Sequence, residues 1–592
     1  MKRIGFLAAT AALLAAPVDA AAVDLSPAHW PAAERFRLEA REAALWPTEV
    51  RTLAGDGGMV SGTASPVAVH AGVQALREGG TAADAAIATA LTQITMMAGA
   101  NVSFAGVAEL LYFDARTRRV YVLDAGWNGW QGEHDPGSIP GSDVSLITGQ
   151  APSGTGSAGR KTLVPGFMAG MGAMHARFGR LAWRRLFDPA VFYAENGVPV
   201  TPMLAAYFNF ARATLEKTRE GRAFLLPDGA HVPGVGDKFV VPGLAATLRS
   251  VARDGPRAMY SGRWAHDFVD TVRAQGGAAT MADMTAYKPV WTEPLTMDFA
   301  GGTIFGPDAS NPSGCAISMA LNMVEHAGVK GRYWENPDAL RTMSLALRIA
   351  TAAPYSAEVA AFDRQHGFGG DCRSHITPAY GAAAAADMDM LASGSAAPPP
   401  GHHSASVVAV DRWGNVAALV HSSNTVMWGD SGMIVDGVPL PTPAGLYQQR
   451  LAMIAPGARL PGDMAPMLMM REGKPMLALA AIGSSLAHET ARLILGLSDG
   501  GDSAEWLGAP PLLFNLEQFD RPLAARDELV PAGRYKAELL AALRSRNMGV
   551  REVDTGRALT LRGTASVVRL RRAGTREAAE VPGVMSFVES AD

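Results

Sequence analysis

SGSAAPPPGHHSASVVAVDRWGNVAALVHSSN, residues 393–424, is the stretch on which the reading of this chain turns. Its first part is small residues and prolines with little to pack. It ends a low-complexity segment, Gly381 to Gly401, that also contains AAAAAD and reads as a solvated linker. From Ser404 the texture changes. SASVVAVD and NVAALVHS are β-branched apolar runs joined by the turn DRWGN, the pattern of two consecutive strands. A hydroxyl residue therefore opens a strand-rich block directly after a linker. Cutting the chain between His403 and Ser404 would create an N-terminus carrying both a nucleophile and an amine. An α-amino group titrates at about 7.7–8.0, so near neutrality a useful fraction is free base. One residue would then hold the nucleophile and its own base.

Working outward, MIVDG, PMLALAAI and ASVVRLRR extend the strand-rich block to the C-terminal side. On the N-terminal side, Val67, Val69, Val73 and Leu76 have helical spacing. Gly79 and Gly80 close that helix, and Thr81 caps an Ala-rich successor. Val107 to Phe113 and Val120 to Leu123, with DARTRR between them, read as a hairpin. Helical patterns return at Glu34 to Leu45 and between Val164 and Ala205, and no repeat of 20 to 50 residues is present.

The 592 residues are 48% apolar and 18% charged, with a formal net charge of −4. That composition excludes disordered and collagenous chains, and it lacks the basic field of a nucleic-acid binder. GxxxxGKS, a dinucleotide glycine motif after a strand and HExxH are all missing from the sequence. Lys2 and Arg3 followed by the apolar run Ile4 to Pro17 and the small residues to Ala20 read as a signal peptide over residues 1–22. No later apolar run reaches the length of a membrane span, so the expectation is a periplasmic or secreted, soluble protein. Cys315 and Cys372 have no motif around them, and the sequence favours two small core or loop residues over a bridge. His402 and His403 are adjacent and lack a carboxylate motif, so a cleavage-site or exposed role is expected over metal binding.

Several blocks together carry a family resemblance. They are GMVSGTASPVAVHAGVQALREGGTAADAAIA (58–88), LVPGFMAGMGAMHARFGRLAW (163–183), GGAATMADMTAYKPVWTEPL (276–295) and NPSGCAISMALNMVE (311–325). SVVAVDRWGNVAALV (406–420) with GDSG (429–432) completes the set. In this order and spacing the chain resembles the γ-glutamyltransferase family of self-cleaving N-terminal-nucleophile hydrolases. The resemblance implies an α+β fold, the four-layer α-β-β-α sandwich. It implies a large subunit, residues 23–403, whose segment 381–403 is the linker, and a small subunit, 404–592, that begins with the nucleophile. It implies an amide hydrolase or acyltransferase working on a small amide-linked substrate through an acyl-Ser404 intermediate, without metal or organic cofactor, nucleic acid or membrane.

Residue by residue, the family's nucleophilic threonine falls at Ser404. The threonine that bonds to it falls at Ser422, and the substrate-contacting asparagine at Asn424. The backbone donors of the oxyanion hole fall at Leu486 and Ala487, in GSSLAHE in place of a Gly-Gly pair. The glutamyl-recognition set departs further. Gly126 takes the place of the arginine that clamps the α-carboxylate, and Gly462 and Asp463 that of two serines. The glycine-rich stretch becomes NVSFAGVAELLYF, and the amino-group-binding acidic segment has no counterpart in DGVPLPTPAGLYQQ. Arg459, four residues before Asp463, is the candidate to neutralise it or to replace the missing arginine. His488 and Glu489 fit a capping or core role as well as catalysis, and Trp127, Trp130 and Trp428 fit a core better than a pocket. Two other readings stay open: an ordinary glutathione hydrolase with relocated substrate contacts, and a non-catalytic exported relative.

Overall fold

Two seven-stranded antiparallel sheets face each other in the computed structural model, with helices covering both outer faces. It describes residues 23–43, 50–142, 157–395, 404–500, 504–515, 517–571, 574–580 and 585–592. The proposed signal peptide and His402 and His403 lie outside the described residues.

Strand Ser404–Val410 sits inside the first sheet, antiparallel to Val416–Ser422 on one side and Met59–Thr63 on the other. The hairpin Val107–Asp114 and Arg119–Ala125 continues the sheet beyond Val416–Ser422. A strand enclosed on both faces should be buried at every position rather than at alternate ones, and this one is from Ala405 to Val410, with Ser406 Oγ bonded to Ser566 Oγ in the facing sheet. Val407 and Ala409 pack toward the helices, while Val408 and Val410 pack into the core between the sheets. The helix side is covered by Pro66–Arg77, Ala82–Met96 and Phe167–Phe178. Ser65 caps the first of these with Pro66 in its first turn, and Thr81 and Asp84 form a capping box on the second. The two helices touch at Gly72, where an added Cβ would meet the Thr89 hydroxyl. The second sheet runs through Thr564–Leu570, Lys474–Ile482 and Pro466–Arg471, under helices Pro312–Ala327 and Leu486–Gly500. Pro466–Arg471 escapes a search for alternation, because Met467 to Met470 are buried on both faces.

The reading of Gly381 onward as a solvated linker is corrected by the structure. Thr377 caps a helix Pro378–Ala386, a second turn Met388–Leu391 follows, and Tyr380, Gly381, Ala384, Met388 and Leu391 are buried. Alanine runs are strong helix formers, and here low complexity meant helix. Backbone bonds from Leu523 to Gly394 and from Ala524 to Ala392 hold the chain beyond the helices. Only 396–403 of the expected linker lie outside the described residues.

A second correction concerns the cysteines. Cys315, in helix Pro312–Ala327, and Cys372, at the start of Cys372–His375, form a disulfide with 5.5 Å between their Cα atoms. The helices between them carry the chain back over 57 residues, a return that no local motif announces. Replacing both cysteines with serine should lower unfolding stability by about 2–4 kcal/mol, read as a shift in the urea midpoint. An unchanged midpoint would mean that the bridge constrains nothing in the unfolded chain.

Candidate active site

The first strand pairs Ser404 directly with Ser422, and Ser422 with Val107 on the next strand. Side chains at alternate positions share a face, so Ser404 and Ser422 point to the space between the sheets, as Val408 and Val420 do. The Ser404 hydroxyl donates to Ser422 Oγ at 3.0 Å. Ser422 Oγ also accepts the backbone N–H of Asn424 at 2.9 Å. Asn424 takes a left-handed turn, φ 47°, which asparagine tolerates better than most residues and which carries the chain off the strand end. Its Oδ1 accepts the Trp127 indole N–H at 3.2 Å. Ser404, Ser422, Asn424 and Trp127 thus form one chain of hydrogen bonds. The other two tryptophans are spoken for elsewhere: Trp130 donates to Thr162 O, and Trp428 donates to Ala98 O and stacks on Phe208.

The strand carrying Ser404 is also pinned from behind. Gln93, on helix Ala82–Met96, donates to the carbonyls of Thr63 and Ser406 at 2.7 and 2.9 Å. With its amide nitrogen so used, Gln93 Oε1 accepts from His421 Nε2 at 2.8 Å. His421 is fully buried, and burial alone pulls its imidazole down to about 3. Its proton affinity is thus lower folded than unfolded. As pH falls below about 6.5, the unfolded chain takes up a proton that the folded one refuses, and stability is lost until pH nears 3. Relative to His421→Gln, the wild type should lose about 2 kcal/mol more between pH 7.5 and pH 5.0 in paired urea titrations. Equal losses would show that the histidine is not buried neutral.

The positions that the resemblance assigns to glutamyl recognition are engaged with neighbouring protein groups. Gly126 donates its N–H to Asp124 Oδ1 at 2.7 Å and accepts the Tyr287 hydroxyl at 2.7 Å. A Cβ at Gly126 would lie 2.7 Å from that carboxylate oxygen and 3.3 Å from Arg459 Cδ. Arg459 does not neutralise Asp463. It pairs with Asp124 at 3.0 Å, donates to Asn128 Oδ1 at 2.6 Å and to the Lys288 carbonyl at 2.8 Å, and lies over the Tyr287 ring. Burial still lifts the Asp124 carboxyl above its ordinary range, with Arg459 pulling it back. Asp463 is met instead by Arg450, whose Nη1 reaches both carboxylate oxygens at 2.7 Å. Arg450 also lies 5.0 Å from the Tyr447 ring centre. Tyr447 comes from the segment in which the sequence offered no counterpart to the family's recognition set. Burial, and then the Asp463 charge, push its phenol well up, with the Arg450 charge acting against them. Tyr447, Arg450 and Asp463 were not legible as a unit, because 13 residues separate Arg450 from Asp463 and their contact is made by folding.

The sequence also passed over Glu109. It is 2% exposed, and its carboxyl lies on the same sheet face as Val107, toward Gly462. A lone acid in VAELLYF was the signal that could have found it.

Leu486 and Ala487 open helix Leu486–Gly500, directly after strand Lys474–Ile482. The Leu486 N–H is engaged, donating to Gly483 O at 3.1 Å. His488 and Glu489 face the outer layer. His488 lines a small cavity with Arg348 and Glu528, and Glu489 pairs with Arg492. Among the described residues, Glu34, His70 and Glu589 come close enough to share an ion, but both His70 nitrogens already have protein partners, Glu589 and Gln74.

Two facing antiparallel sheets between helical layers are the α-β-β-α sandwich of the N-terminal-nucleophile hydrolase fold. The chain belongs to the gamma-glutamyltranspeptidase family, whose sequence profile matches residues 68–559, and it is an enzyme of the γ-glutamyltransferase type. It is 29% identical over 466 residues to an acylase ACY 1 proenzyme of Pseudomonas sp. strain SE83, covering 74% of this chain and 78% of that protein. It is 28% identical over 459 residues to the glutathione hydrolase proenzyme of Pseudomonas aeruginosa, covering 73% and 77%. Among solved structures, the cephalosporin acylase from Bacillus halodurans superposes with a TM-score of 0.74 at 21% identity, over 92% of this chain and 98% of that one.

Proposed function

We propose that the chain is an exported proenzyme that cleaves itself between His403 and Ser404 and then hydrolyses or transfers the acyl group of a small amide. The observation that carries this reading is the Ser404 hydroxyl, at the first position of an inner strand and bonded to Ser422. In maturation, Ser404 Oγ attacks the His403 carbonyl carbon, the peptide nitrogen leaves as the Ser404 amine, and water hydrolyses the resulting ester. In turnover, that amine takes the Oγ proton as Oγ attacks the substrate carbonyl. The proton passes to the leaving amine, and water or an acceptor amine releases the acyl group. Ser422 orients the nucleophile, and Asn424, fixed by Trp127, faces the substrate. Leu486 and Ala487 supply the oxyanion donors, Leu486 by exchanging Gly483 for the oxyanion. The disulfide and the basic–apolar leader both support export, since disulfides persist in oxidising compartments. Among the described residues no helix is long and apolar enough to cross a membrane.

N-terminal sequencing of the small subunit tests the maturation step. It should begin Ser-Ala-Ser-Val and span 189 residues, the remainder after position 403. Any other start moves the nucleophile.

The acyl donor is expected to differ from that of a glutathione hydrolase. Gly126 brings no cation, and the two arginines nearby are held by Asp124 and Asp463. A glutamyl α-carboxylate entering this pocket would be desolvated without a partner. The kcat/KM for a γ-glutamyl anilide should be at least about 10-fold below that of the matched anilide lacking the α-carboxylate, a difference of about 1.4 kcal/mol. An advantage for the γ-glutamyl compound, lost in Arg450→Ala or Arg459→Ala, would restore the glutathione-hydrolase reading.

A further inference from the structure

The sheet face that carries Ser404 and Ser422 also carries a buried acid that the chemistry at Ser404 does not use. Glu109 is 2% exposed, and among the described residues only charges, and no hydrogen-bond donor, act on its carboxyl. Its Oε2 lies 3.2 Å from where a Cβ at Gly462 would stand, so the glycine there leaves the carboxyl the room that a side chain would crowd. Asp124 and Asp308 are near enough to act on it electrostatically, and Arg459 is the one cation that does so. That cation is already shared with Asp124, Asn128 and the Lys288 carbonyl. Asp308 is met by the backbone and hydroxyl of Ser310, so Glu109 and Asp124 share one committed guanidinium. Burial, and then the charges of Asp124 and Asp308, lift the Glu109 carboxyl well above the usual carboxylate range, with Arg459 acting against them. What such a site lacks is a positive charge.

Register places this acid relative to the nucleophile. Ser404 pairs with Ser422 and Ser422 with Val107, and Glu109 lies two residues beyond Val107 on the same face. Two strand spacings and two residues of rise separate the Ser404 and Glu109 Cα atoms by about 12 Å. With Oγ on the carbonyl carbon and a carboxylate oxygen on a cation, roughly 6–8 Å remains for an acyl chain of five or six bonds.

We propose that Glu109 is the specificity-determining residue of the acyl pocket and that it selects an acyl group ending in an ammonium five or six bonds from the scissile carbonyl. This rests on Ser404 as the nucleophile, and it names the substrate class that site accepts: ω-aminoacyl amides, in place of donors that present a carboxylate.

The test uses three anilides that place an ammonium, a methyl or a carboxylate at one position: 5-aminopentanoyl, hexanoyl and adipoyl. Mature wild-type enzyme should turn over the amino compound with kcat/KM at least about 10-fold above hexanoyl, and adipoyl least of all. Glu109→Gln should bring the amino-to-hexanoyl ratio close to one, and Glu109→Lys should favour adipoyl. Appearance of both subunits on a denaturing gel confirms that each variant folds and matures. Calorimetric binding of 5-aminopentanamide and hexanamide to mature enzyme supplies a readout independent of turnover. The amine should bind at least about 10-fold tighter to wild type and no tighter to Glu109→Gln. If no anilide acylates Ser404, the nucleophile reading fails while the binding comparison still decides the role of Glu109. Equal binding and equal turnover of the amino and neutral compounds, or a preference for adipoyl, would overturn the proposal.

Discussion

Ser404→Ala should remain a single uncut chain on a denaturing gel, form no acyl-enzyme by intact mass, and lose activity by at least about 10⁴-fold. Losses of that size accompany removal of a nucleophile, because the oxyanion donors and substrate binding alone leave only residual catalysis. Ser404→Thr should retain both cleavage and turnover. It keeps the oxygen and adds a methyl group of the kind a strand readily accepts. The pair of variants separates chemistry from folding, since both occupy the same strand position beside Ser422. Full activity in an uncleaved Ser404→Ala chain would remove the N-terminal nucleophile from the mechanism altogether.

The second large effect is on stability, in the outer helix layer. Glu489 and Arg492 are a buried pair, each side chain 3% exposed, with Arg492 Nε donating to Glu489 Oε2 at 2.6 Å. Glu489→Gln leaves a buried guanidinium without its counter-charge and should cost about 3–5 kcal/mol in urea unfolding. Replacing both partners, Glu489→Leu with Arg492→Met, should recover most of that loss, because neither variant residue carries a charge to desolvate. The double variant should still cleave itself. Failure to cleave in a folded double variant would return Glu489 to the catalytic machinery, the alternative that GSSLAHE leaves open when read alone.

Local patterns carried much of the fold. The runs around Ser404, the capping residue Thr81, and the hairpin after Val107 all stand where spacing placed them, because caps, turns and periodicity act within a few residues. The all-apolar strand Pro466–Arg471 was harder, since burial on both faces erases the alternation that marks a half-exposed strand. The alanine-rich segment after Thr377 misled for the opposite reason: a small-residue composition common in linkers is also a good helix.

By itself the sequence determined the strand pair that follows the prolines and the serine that opens it, together with the capped helices and the hairpin on the N-terminal side. Each is written in residue types and short-range order. Only the tertiary structure decided which charges meet. It paired Asp463 with Arg450 and not with Arg459, joined Cys315 to Cys372, and set Glu109 against Gly462 with no donor of its own among the described residues. Coulombic and covalent partners are chosen by distance in space, and in this sandwich that distance is fixed by how strands and helices far apart in the chain are packed together.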